Sequence, residues 1–175
     1  ALTGGTGNDT LRAGTGNDVL QAEDGDDDFL VGRAEGYDVY DGGAGSDDII
    51  ALAINTVIGV SSLTGIETIS SGGFAGVRIL GTATSNLIDL TATTLTGIGL
   101  IDGGNGADTI LGSAGNDLIQ GGAGNDILSG GNGDDRFRVA GITSGFDSYD
   151  GGLGTDVIEA MAANTIIGVN SLTVI

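Results

Sequence analysis

Four aspartates recur at nine-residue intervals: Asp108, Asp117, Asp126 and Asp135. Each is the sixth residue of one of four consecutive units, GGNGADTIL, GSAGNDLIQ, GGAGNDILS and GGNGDDRFR, between Gly103 and Arg138. Each unit also has glycine at its fourth place (Gly106, Gly115, Gly124, Gly133) and a large apolar residue at its eighth (Ile110, Ile119, Leu128, Phe137). The chain contains no His and no Cys, so imidazole and thiol chemistry are excluded, and carboxylates on flexible turns are the reactive inventory. Carboxylate and carbonyl oxygens from such loops suit a hard cation of calcium's size, which takes six to eight oxygens at roughly 2.3–2.6 Å.

The elements that position these carboxylates follow from the same unit. Its first six residues are glycine-rich and polar, able to turn tightly and adopt positive φ. Its last three are long enough only for a short strand whose middle side chain points to an apolar core. Strand, turn, strand, turn makes one rung of a flattened coil from two units, and a fixed short period of this kind signals a repeat architecture. Loops of units n and n+2 then stack at the inter-strand spacing of roughly 4.8 Å. Two unit charges at that distance repel by about 0.9 kcal/mol at a water-like dielectric and about 3.5 kcal/mol at an effective value of 20. Columns of aspartates therefore require cations between them. The expected fold class is all-β.

These residues resemble the RTX, or haemolysin-type calcium-binding, repeat GGxGxDxUx, in which U is a large apolar residue. Eleven units keep Gly, Asp and an apolar residue in place, with aspartates 9, 18, 27, 38, 47, 108, 117, 126, 135, 147 and 156. The resemblance implies a right-handed parallel β-roll, a β-solenoid with stacked loops binding several Ca2+ ions. It implies that each ion is held by two sixth-place aspartates on one edge. In the first block the pairs are Asp9 with Asp27, Asp18 with Asp38, and Asp27 with Asp47. In the second they are Asp108 with Asp126, Asp117 with Asp135, Asp126 with Asp147, and Asp135 with Asp156. Backbone carbonyls of loop glycines and their neighbours complete the implied ligand set: Gly5, Gly7, Gly104, Gly106, Gly115, Gly122, Gly124, Gly131 and Gly133. The family further implies export through a bacterial type I secretion machinery and folding outside the cell.

Along the chain, residues 1–50 form a first repeat block, from the truncated Ala1-Leu2-Thr3 through GGTGNDTLR, AGTGNDVLQ and AEDGDDDFL to GGAGSDDII. Ala13, Ala22 and Glu23 stand where the pattern has glycine, and Glu23 and Asp24 are possible extra ligands there. A longer unit between Val31 and Asp41 carries an insertion and resumes register at Gly36, Asp38 and Tyr40. Residues 51–101 lose the period yet keep Val, Ile, Leu and Thr clusters between Gly and Ser, which are strand signals without helix periodicity. They are expected to be irregular rungs that continue the coil with little or no calcium. GTATSNLID from Gly81 reads as a worn unit with Asn86 in the aspartate place, and β-branched strand preference accounts for the many threonines. Residues 102–159 form a second block with an insertion between Val139 and Gly145. Residues 160–175 begin another intervening segment, NTIIGVNSLTVI copying NTVIGVSSLTGI from Asn55, so a repeat of about 108 residues overlies the small one.

Net charge is −19 with five Arg and no Lys, which argues against nucleic acid and anionic membranes. No apolar run approaches the about 20 residues of a membrane span. The chain reads as an excerpt of a larger secreted or surface-bound bacterial protein, and its cut ends make end-to-end self-association a hazard. Asp26, Asp28, Asp48, Asp134 and Glu159 are expected to be solvated, Glu67 and Asp89 to cap or bind, and Arg136 and Arg138 to pair with surface carboxylates. No Ser or Thr has a base in recognisable relation to it, so the chain is expected not to be an enzyme. The expected function is a calcium-folded structural or stalk module. An adhesin segment binding carbohydrate or a cell surface is the alternative, and an accessory module of a secreted hydrolase comes third.

Overall fold

The computed structural model describes residues 1–33, 35–140 and 144–173. Positions 141–143 of the second insertion and 174–175 of the copied run therefore lie outside the described residues. The described residues are all β, with no helix. The first nine strands are β1 Leu2–Thr6, β2 Thr10–Leu11, β3 Val19–Asp24, β4 Asp28–Val31, β5 Asp38–Asp41, β6 Asp48–Ala51, β7 Val57–Thr64, β8 Thr68–Ser70 and β9 Arg78–Gly81. The remainder are β10 Leu87–Asp89, β11 Thr94–Thr96, β12 Ile101–Asp102, β13 Thr109–Leu111, β14 Leu118–Gln120, β15 Ile127–Asn132, β16 Arg136–Val139, β17 Asp147–Leu153, β18 Val157–Ala160 and β19 Val169–Thr173. The expected strands of the intervening segment are thus present as β7 to β11.

Two compact units result, one of residues 1–80 with 93–99, the other of 81–92 with 100–175. In the first, strands in the order β1-β3-β5-β7-β9 form one sheet and β2-β4-β6-β8-β11 the other. In the second, the orders are β12-β14-β16-β18 and β10-β13-β15-β17-β19. Successive strands of a rung alternate between sheets and pair in parallel with the strand one rung away. Each unit is therefore a coil of parallel β-roll type, because a three-residue strand can fill its hydrogen bonds only from the rungs on either side.

Register shows why the nine-residue period works. Leu2 pairs with Leu20 and Ile110 with Leu128, one eighteen-residue rung apart. Phe29 pairs with Ile49 and Leu128 with Tyr149 across the longer units, so the extra residues are absorbed in loops and the strands stay aligned. Eighth-place side chains consequently stack into inward columns: Leu11, Phe29, Ile49 and Ile69 in the first unit, Ile88, Ile110, Leu128 and Tyr149 in the second. All eight are buried. Ile88, at the eighth place of GTATSNLID, stands in register with Ile110. Across each interior, rings from the two sheets meet edge to face: Phe29 with Tyr40 at 5.6 Å, and Phe137 with Tyr149 at 5.5 Å.

Removing Phe137, whose ring is fully buried, leaves a cavity with little room to relax between rungs. Phe137→Ala is expected to destabilise the calcium-loaded protein by about 3–5 kcal/mol in urea denaturation. Leu87→Ala, at an outward position of β10 that is 61% exposed, should change stability by less than about 0.5 kcal/mol.

Candidate metal centre

The sixth-place carboxylates lie at the mouths of these rungs and are tied together by the backbone. The amide N–H of Asp9 donates to Oδ1 of Asp27 at 2.6 Å, and that of Asp27 to Oδ1 of Asp47 at 3.0 Å. On the opposite edge the Asp18 N–H donates to Asp38 Oδ1 at 2.8 Å. In the second unit Asp108 donates to Asp126, Asp117 to Asp135, Asp126 to Asp147 and Asp135 to Asp156, each at 2.8–3.0 Å. Every pair expected from the sequence is thus brought into contact, including those that span insertions. Asn86 heads one column, its N–H donating to Asp108 Oδ1 at 2.8 Å.

One carboxylate oxygen is used in this way; the other decides the chemistry. Oδ2 of Asp9, Asp27, Asp47, Asp108, Asp126, Asp135 and Asp156 is buried without any hydrogen-bond partner. A buried charge without a partner is strongly unfavourable, so these seven oxygens call for a cation. Oδ2 of Asp9, Asp47, Asp108, Asp117, Asp126 and Asp135 folds back over the glycine at its unit's first place. A Cβ built on Gly103 would lie 2.7 Å from Asp108 Oδ2 and 2.5 Å from the carbonyl oxygen of Gly121, the first residue of the next same-edge unit. Gly112 meets Asp117 Oδ2 and the Gly130 carbonyl in the same way, and Gly130 meets Asp135 Oδ2 and the Gly151 carbonyl. A carboxylate and a carbonyl therefore converge in a cradle that a side chain would fill, and that donor set fits calcium. Among the described residues no three carboxylates, histidines or cysteines converge. Backbone carbonyls must therefore supply much of any six- to eight-oxygen shell.

The glycines singled out by spacing also shape the loops. Gly5, Gly7, Gly104, Gly106, Gly122, Gly124, Gly131 and Gly133 adopt positive φ, which turns the loop tightly enough to stack. At Gly124, φ is +136° and a Cβ would run into the Gly106 carbonyl below it. Gly115 is the exception: it has no positive φ, and its N–H donates to Ser113 Oγ at 3.1 Å. The carbonyls that converge with Oδ2 belong to first-place residues, Ala22, Gly121, Gly130 and Gly151 among them. Spacing alone did not single these out.

Three aspartates have found a partner for Oδ2 within the chain. Tyr40 Oη donates to Asp38 at 3.3 Å and Tyr149 Oη to Asp147 at 2.9 Å. Ser113 donates to Asp117 from both its N–H, at 2.7 Å, and its hydroxyl, at 2.9 Å. Burial, and then the neighbouring carboxylate, raises both phenols above their ordinary range and keeps them protonated donors. A second ladder, missed by sequence, runs through the fifth place. Asn8 Oδ1 accepts the Asp26 N–H and Asp26 accepts that of Ser46. Likewise Asn116 accepts the Asp134 N–H and Asp134 that of Thr155. Asp26 and Asp134 are exposed, but they brace loops rather than simply meeting solvent. Arg136 pairs with Glu159 at 2.6 Å, whereas Arg138 Nε is buried without a hydrogen-bond partner. No arginine ion pair among the described residues reaches a sixth-place carboxylate.

The RTX calcium-binding nonapeptide repeat model matches residues 3–33 and 102–137, in four copies. No curated protein matches the chain. Fold and site thus define a parallel β-solenoid that carries calcium-binding RTX nonapeptide repeats.

Burial raises the carboxyls of Asp126 and Asp135 to about 6, with neighbouring aspartates adding to the rise. Asp38, Asp47, Asp108, Asp117 and Asp147 are raised in the same direction, again chiefly by burial. A folded-state pKa above the unfolded one favours the fold at low pH. That contribution is complete below about 3.8 and is lost as pH rises through about 6. Far-UV circular dichroism in EDTA should therefore show more β structure at pH 4 than at pH 7. Melts in calcium should show the opposite trend, since protons compete for the same oxygens.

Proposed function

We propose that this chain is a structural module whose folding is driven by calcium outside the cell, after type I secretion of the protein that carries it. The observation that carries the reading is the set of seven buried Oδ2 atoms without a partner. Bound calcium supplies the positive charge and the multiple oxygen coordination that such carboxylates lack. The chain's own residues do the rest. Sixth-place aspartates hold one rung to the next through Oδ1, first-place glycines leave room for Oδ2, and loop carbonyls turn towards the same space. At low calcium the columns repel and the short glycine-rich strands are entropically costly, so the chain is expanded and fit for passage through a channel. At high calcium the binding free energy becomes folding free energy. A stalk or spacer role follows from a coil whose rungs repeat without a catalytic constellation. The carbohydrate-binding alternative has less support. The groove of about 240 Å3 in the second unit is lined by Thr91, Gly112, Ser113, Ala114, Gly131 and Asn132, with no aromatic platform.

Far-UV circular dichroism tests this directly. In EDTA at pH 7.5 the spectrum should be that of an expanded chain, and calcium should produce a cooperative gain of β signal that magnesium does not. Asp126→Asn should raise the calcium midpoint about tenfold or more, corresponding to ~1.4 kcal/mol or more. A β-rich spectrum in EDTA, unchanged by calcium, would overturn the reading.

A further inference from the structure

The nonapeptide pattern of the first block stops at Asp47, yet its carboxylate column does not. The Asp47 N–H donates to Glu67 Oε2 at 2.8 Å, the contact that Asp9 makes with Asp27 and Asp27 with Asp47 in the same column. Glu67 returns its own N–H to the Asp47 carbonyl at 3.0 Å, which clasps the two loops. The Asp47 side chain is fully buried, and its Oδ2 has no partner. The cradle is complete as well. A Cβ on Gly42 would lie 2.6 Å from Asp47 Oδ2 and would collide with the Gly65 carbonyl oxygen. That pair of oxygens has the same relation to Gly42 as Asp108 Oδ2 and the Gly121 carbonyl have to Gly103. The loop that supplies Gly65 and Glu67 is not a full nonapeptide unit: one residue separates Gly65 from Glu67 where four separate Gly42 from Asp47, yet the strands on either side stay in register. A glutamate's extra methylene gives its carboxylate the reach to take the aspartate's place.

The geometry points to a further calcium site, formed by Asp47, Glu67 and the Gly65 carbonyl, that closes the first block against the intervening segment. The opposite end of that segment behaves differently. Over Gly81 the Gly103 carbonyl again converges, but the side chain beside it is the neutral Asn86, whose Oδ1 already accepts from the Thr82 N–H at 2.7 Å. The intervening segment thus carries a charged, unsatisfied gap at one end and a neutral, satisfied one at the other.

The inference rests on the reading that the aspartate gaps take calcium, and the test separates the two. Native mass spectrometry of the full chain at saturating calcium should count one ion fewer in Glu67→Gln than in wild type. Glutamine keeps an oxygen for the Asp47 N–H, so the rung should still form. Asp89→Asn, an exposed carboxylate hydrogen-bonded to Thr91, should leave the count unchanged. Equal counts in wild type and Glu67→Gln would overturn this site alone, whereas a wild type without bound calcium would overturn the general reading as well. Should Glu67→Gln fail to fold, anomalous scattering from calcium-loaded wild-type crystals decides the matter. A peak between Asp47 and Glu67 supports the site, and peaks confined to the other gaps exclude it.

Discussion

Like charge stacked at strand spacing is the constraint on which this structure depends. Most of the aspartates cannot retreat from one another, because Oδ1 of Asp27, Asp38, Asp47, Asp108, Asp126, Asp135, Asp147 and Asp156 is held by the amide of the loop one rung earlier. Nor can most of them spread their charge into water, because the carboxylates of Asp27, Asp47, Asp108, Asp126 and Asp135 are all but fully buried. At neutral pH a loop fixed in this way lowers its energy by placing a cation where the second oxygens point. Hydrophobic columns inside and carboxylate columns at the rim are therefore not separate features. The same short strands carry the apolar side chains inward and deliver the loops that bear the carboxylates.

Glycine serves this arrangement in two distinct ways. At the fourth place it provides backbone conformation and close stacking, as Gly124 does over the Gly106 carbonyl. At the first place it provides volume, since the aspartate five residues later occupies the space of the missing side chain. The doubled demand explains why substitutions are so few in the four units from Gly103 to Arg138, where only Ser113 breaks the leading pair. Ser113 is also where the chain satisfies Asp117 by itself. Tyr40 and Tyr149 do the same for Asp38 and Asp147, the first aspartates after each insertion. Demand for metal is consequently uneven along the columns, greatest where Oδ2 has only a carbonyl for company.

The nine-residue spacing of Gly, Asp and an apolar residue by itself determined the parallel coil, the inward column and the pairing of aspartates. Each of these follows from a strand too short to stand alone and a loop that must return in register. Leu2 and Ile88 were legible for the same reason, as eighth-place residues of incomplete units. The tertiary structure alone decided which oxygens face a cradle. Oδ2 meets a tyrosine two residues on at Asp38 and Asp147 and a serine four residues back at Asp117, and the side-chain directions that bring these groups together are set by packing and not by the period. It also placed Glu67 in a column that the pattern had already left, because a carboxylate is recognised there by its reach to the Asp47 amide and not by its place in a motif.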